Sequence, residues 1–202
     1  MALSKIQAES MNLADTYAFS GTVSGTPNGL VLLQTVTADD DTTVEIGSAS
    51  LFTSAYRTYI IYFSNVHNAS DNTSLNMRLG IGGSIKTDSN YDYSRHYQYS
   101  GGSTVSTSFG NNATSFIRAF GQSNGNDTGE QSSGFVMIYD PSSTDNYKHI
   151  RVEASNDDLS SNSALQTLSG RYESGTAACT SVQMYAFNGN ITSGYFRLYG
   201  VA

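Results

Sequence analysis

From residue 30 to the end, apolar and polar positions alternate with a period of two, the signature of half-buried strands. LVLLQTVTA at 30 to 38 opens the series, and TTVEIGS follows an acidic turn. YRTYIIYFSNV at 56 to 66 is apolar on both faces, which predicts a central strand. In SLNMRLGIG, Leu75, Met77, Leu79 and Ile81 take one side and Asn76 and Arg78 the other. A hairpin between these last two segments is expected. SFIRAFG, SGFVMIYD, YKHIRVEAS, TSVQMYAF and GYFRLYGV continue the pattern between turn clusters such as QSNGNDTG, DPSSTDN and NGNITSG. About ten strands with frequent turns and no βαβ alternation predict an all-β, antiparallel β-sandwich of jelly-roll type.

The segment NYDYSRHYQYSGG at 90 to 102 poses the sharpest local question. Tyr91, Tyr93, Arg95, Tyr97 and Tyr99 share one face, and Asp92, Ser94, His96 and Gln98 share the other. The tyrosine face is expected to pack inward or against a neighbouring subunit, and the alternative is a ligand surface. Stretches 101 to 114 and 121 to 134, rich in Gly, Ser, Thr and Asn, read as loops. Asp92, Arg95, His96 and Tyr97, with Asn111, Asn112 and Asn126 from those loops, form the candidate ligand set: rings to stack on a sugar face, amides and charges to bond its hydroxyls.

Residues 1 to 28 differ from the rest, and residues 29 to 202 form the sandwich domain. Leu3, Ile6, Ser10 and Leu13 fall near helical spacing, and Ser4 with Gln7 can form a capping box. The Gly, Ser, Thr and Pro stretch FSGTVSGTPNG follows. This part reads as an attachment arm whose holding residues are Leu3, Ile6, Leu13, Tyr17 and Phe19. No apolar stretch has the length of a secretory core or a membrane span, so neither a cleaved signal nor membrane insertion is expected. The N-x-S/T triplets at Asn68, Asn72, Asn112, Asn126 and Asn190 then read as turns and strand ends rather than glycan acceptors.

Composition narrows the partner. Formal net charge is −7, and only 13% of residues are charged, about half the usual share, so Ser, Thr and Asn coat the surface. No basic stripe is present to neutralise phosphates, which argues against nucleic acid. Asp39, Asp40 and Asp41 lack the spacing of a calcium loop and read as a solvated turn. Cys179 is the sole cysteine, has no charged neighbour in GTAACTSVQMY, and reads as a small buried hydrophobe.

A catalytic reading finds little support. His67, His96 and His149 are scattered, with His67 expected in a loop, and no G-x-S-x-G or HExxH motif occurs. One cysteine cannot build a structural zinc site. Asp157 and Asp158 are adjacent in SNDDLSSNS, which reads as a loop rather than a carboxylate pair flanking a glycosidic bond. The expectation is therefore a protein without catalytic residues, metal or cofactor.

Three stretches carry a resemblance. MALSKIQ, GTVSGTPNGLV and above all YRTYIIYFSNVHNASDNTSLNMRLG resemble the small β-sandwich virion proteins and tail-fibre-tip domains of tailed, especially marine, bacteriophages. The positions that match are Tyr56, Tyr59, Ile61, Phe63, Asn65, Asp71, Leu75 and Arg78, with Gly194, Leu198, Tyr199 and Gly200 in the closing strand. The resemblance implies a non-enzymatic structural protein of the virion, assembled in the host cytoplasm with other virion proteins, and a homo-oligomer, a trimer by preference. It leads to a tail-fibre or adhesion module that binds a host surface glycan or protein. The alternative is a capsid decoration (cement) protein bound to the assembled shell. A secreted carbohydrate-binding module or glycan hydrolase stands behind both.

Overall fold

A computed structural model describes residues 29 to 101 and 107 to 202, with the side chains of 107 to 111 and 122 left out of the description. Residues 1 to 28, with Leu3, Ile6, Leu13, Tyr17 and Phe19, lie outside the described residues. The strands are β1 (Leu30–Asp41), β2 (Val44–Ile46), β3 (Thr58–Asn68), β4 (Thr73–Ile81), β5 (Ser84–Ile85), β6 (Tyr91–Tyr99) and β7 (Thr107–Thr114). They continue as β8 (Ile117–Asn124), β9 (Ser132–Tyr139), β10 (Lys148–Asp157), β11 (Ser163–Tyr172), β12 (Cys179–Ala186) and β13 (Ile191–Val201). Every pairing is antiparallel.

Two sheets form the all-β sandwich that alternation predicts. The large sheet runs β1-β13-β3-β9-β10-β11-β6-β7, and the small one β2-β12-β4-β5, with β8 also on β4. Between them lie Tyr59, Ile61 and Phe63 of β3, Val136 and Ile138 of β9, and Phe196 and Leu198 of β13. Leu75, Met77, Leu79 and Ile81 of β4 meet them from the small sheet. Phe63 stacks on Phe120 of β8, ring centroids 5.3 Å apart, which fastens one layer to the other.

The expected hairpin between 56–66 and 74–82 is absent. β3 pairs with β13 and β9, whereas β4 pairs with β12, β5 and β8 in the other sheet. Both strands present an apolar row, and such rows bury more area facing each other across a core than lying side by side. The link between them turns at Asn72, whose φ is 53°. Other local expectations also shift. Asp39 to Asp41 end β1 instead of forming a turn, and Asp40 takes a φ of 57°. His67 belongs to β3 and not to a loop. Residues 107 to 114 form β7, where a loop was expected, and 163 to 172 form β11, which the pattern did not reveal.

The tyrosine strand faces inward. Tyr91, Tyr93 and Tyr97 are buried in β6, and Tyr91 and Tyr172 pack with centroids 4.9 Å apart. Cys179 is buried as expected, and burial pushes its thiol up to about 12. Lys148 is the surprise of the interior: fully buried at the start of β10, its ammonium donates to the carbonyls of Ser143, Asn146 and Thr176 at 2.7, 2.7 and 3.0 Å. Burial pulls its pKa below the ordinary lysine value.

Candidate functional site

Because side chains on opposed residues of an antiparallel sheet share a face, register alone assembles a site on the outer face of the large sheet. Asp92, Ser94 and His96 of β6 lie opposite Arg171, Ser169 and Thr167 of β11. Those three lie opposite His149, Arg151 and Glu153 of β10. The result is a grid of three rows: Asp92, Arg171, His149; then Ser94, Ser169, Arg151; then His96, Thr167, Glu153. The face is lowest at Ser94 and Ser169, two short side chains among longer ones. Two adjoining depressions follow, of about 450 Å³ and about 660 Å³, that share Ser94, Ser169 and His149. Asn112 closes one end and Tyr139 of β9 the other.

Arg171 and Asp92 in this groove are held, not loose. Arg171 Nη2 donates to Asp92 Oδ2 at 3.1 Å and to Glu173 Oε2 at 2.7 Å, and its guanidinium lies 5.9 Å from the centre of the Tyr147 ring. These bonds, that to Asp92 first, hold the Arg171 pKa above its ordinary value. Partial desolvation works to raise the Asp92 carboxyl, but the bonds from Arg171 and from the Ala113 N–H at 3.2 Å outweigh it, and the net shift is downward. Arg151 stands 3.6 Å from Glu153, with both side chains about half exposed, so its donors remain open to a ligand.

The candidate ligand set divides. Asp92, His96 and Asn112 reach the outer face, Asp92 and Asn112 lining the first depression and His96 the second. Arg95 and Tyr97 belong to the interior face of β6, 4% and 8% exposed, where an extended chain must send them if Asp92 and His96 face out. Asn111 is paired with Tyr93 in β7. Asn126 sits between β8 and β9, donates to the Ala69 carbonyl at 3.2 Å, and borders a separate depression with His67, Asp127 and Thr192.

Arg95 has interior work instead. Its Nη1 donates to Gln166 Oε1 at 3.1 Å and to the Gly121 carbonyl at 3.3 Å, while Gln166 Nε2 donates to the Arg118 and Ala119 carbonyls at 3.1 and 2.9 Å. β8 pairs with β4 along one edge, and these side chains satisfy carbonyls along the other. Burial first, and the nearby Arg118 second, lower the Arg95 pKa to about 10. Gly121 has φ of 66°, and a Cβ there would collide with Asn124 Oδ1, so the bend that presents its carbonyl needs glycine.

Sequence reasoning missed His149, Arg151, Glu153, Ser169, Arg171 and Tyr139 as members of the groove. All but Tyr139 come from β10 and β11, and SALQTLSGRY hides its inward row because Gln166 and Gly170 interrupt Ala164, Leu168 and Tyr172. Among the described residues no group of three or more His, Cys, Asp or Glu is placed to hold a metal ion. No known protein family, curated protein or solved structure matches this chain.

Proposed function

We propose that this chain is a non-enzymatic bacteriophage virion protein of tail-fibre or adhesion type that recognises a hydroxyl-rich host surface ligand, a glycan, in the groove over β10, β11 and β6. Residues 1 to 28 attach it to other virion proteins. One observation carries the binding reading: three donors (Arg171, His149, Arg151) flanked by two acceptors (Asp92, Glu153) stand around a serine floor, with the Tyr139 ring at the rim. A sugar offers the matching surface, since each hydroxyl both donates and accepts while the ring C–H face stacks on an aromatic. Positions held by Arg171, Asp92 and Glu173 are ordered before the ligand arrives, which lowers the entropy lost on binding.

The test is binding of the purified full chain to host cells. Ser169 is exposed on the groove floor, so Ser169→Trp fills the site without touching the core. Binding should fall at least about tenfold, the loss expected when roughly 1.4 kcal/mol or more of contact is blocked. Tyr97→Phe, inside the sandwich, should bind as the parent does. Equal binding by Ser169→Trp would remove the groove from consideration. Copy number decides the setting: tens per particle accord with a fibre, hundreds with shell decoration.

A further inference from the structure

The outer face of the large sheet changes character between β9 and β10. Over β10, β11 and β6 it is polar apart from the exposed Leu165 of β11, but over β1, β13, β3 and β9 register sets apolar residues side by side. Leu30, Val201, Thr58 and Tyr139 form one row across these strands. Leu32, Tyr199, Ile60 and Met137 form the next, and Thr35, Arg197, Tyr62 and Phe135 the third. Tyr195 follows beyond them. Tyr62 touches both Phe135 and Tyr199, edge to face, at 5.9 and 5.7 Å. β3 is thus apolar on both faces in a sandwich of two layers, and its outer row has no layer of this description over it.

We infer that this face is where a second copy of the chain packs, sheet against sheet, about a two-fold axis that runs along the strands between β13 and β3, which makes a pair in place of the trimer that the resemblance implies. Three features favour a second copy. The first is area. Leu30, Leu32, Tyr62, Tyr139 and Tyr195 are 39–54% exposed. With their half-buried neighbours they present on the order of 700 Å², more than the about 300–600 Å² of a typical monomer's largest patch and near the roughly 800 Å² per partner of a stable pair.

The second is shape. The patch is four strands wide, and a facing sheet about 10 Å away covers all four, whereas a single extended segment covers a strip about one strand wide.

The third is self-complementarity. The two-fold axis exchanges β13 with β3 and β1 with β9, so Leu32 meets Met137, Leu30 meets Tyr139, and Tyr199 meets Ile60 of the other copy. Arg197 is the single charge within these rows, exposed and without an ion pair among the described residues. The same axis lays it over the Tyr62 ring of the other copy, a cation–π contact. β10, β11 and β6 remain outside the overlap, so the groove stays open over those strands on each flank, and Tyr139 stands at the border, shared between the groove's rim and the interface. The pairing does not depend on what the grooves bind.

Light scattering and sedimentation of the full chain at micromolar concentration test it. The expected mass is twice the 21.6 kDa of one chain. Tyr62→Lys and, independently, Leu32→Lys should each give a monomer with an unchanged circular dichroism spectrum, and Arg197→Glu should weaken association at least about tenfold. Tyr17→Asp combined with Phe19→Asp should leave the pair intact. A monomeric parent overturns the inference, and so does a trimeric mass. Dissociation by the Tyr17 and Phe19 changes alone overturns it too, because residues 1 to 28 would then be the cover.

Discussion

At the scale of single residues, parity decided more than residue type. Tyr97 and Asp92 sit five positions apart in one strand, and only the odd or even count separates a core ring from a groove carboxylate. That count was legible in the sequence. What it could not show was which polar residues would be drawn inside: Arg95, Gln166 and Lys148 go in because backbone carbonyls of β8 and of the turns at 143, 146 and 176 need donors there. Carbonyls left over by the fold are not written in any one segment. Gln166→Leu removes two bonds to β8 and an acceptor of Arg95, and should lower the free energy of unfolding in urea by roughly 2–4 kcal/mol. The Asp92 carboxyl should titrate below the ordinary value of about 4 by carbon NMR, and move upward in Arg171→Ala. The sign is that of a depressed acid: its bond to Arg171 is complete above the unfolded-state pKa and is lost as pH falls through the lower folded-state value.

At the scale of elements, strands with clean alternation, β4, β6, β9, β10, β12 and β13, were visible, and so was the double-sided β3. β11 was not, since Gln166 and Gly170 break its apolar row, and β7 was hidden by its Gly and Asn content. The β3 to β4 link misled because a polar loop between two apolar runs reads the same whether the chain folds back in one sheet or crosses to the other. Asn72 with positive φ permits the turn without specifying the partner. Lys148 has an element-level role, as its ammonium ties the β9–β10 turn to the β11–β12 turn through Ser143, Asn146 and Thr176. Lys148→Met keeps the length and drops the donors. It should destabilise the fold by roughly 2–4 kcal/mol. Hydrogen exchange should quicken first in the two turns, at 140 to 147 and 173 to 178; uniform quickening throughout the sandwich would instead mean that the ammonium ties nothing locally.

For the whole molecule, the large sheet's outer face is divided. The expectation of a neutral, hydroxyl-coated exterior fails in two ways: over β10, β11 and β6 the face is polar but carries Asp92, His149, Arg151, Glu153 and Arg171 among its serines and threonine, and Leu165 is exposed there, while over β1, β13, β3 and β9 Tyr62, Tyr139, Tyr195 and two leucines stand exposed. Sequence alternation gives each strand's faces but not the order of strands, and only that order gathers one set into a polar grid and the other into an apolar plate. The polar grid carries the proposed glycan recognition. Its direct measurement is an amide chemical-shift map of the isotope-labelled protein titrated with soluble glycans released from the host surface. Shifts should concentrate at residues 92 to 96, 149 to 153 and 167 to 171. Shifts confined to the depression around His67, Asn126 and Thr192, or none at any glycan concentration, would contradict it.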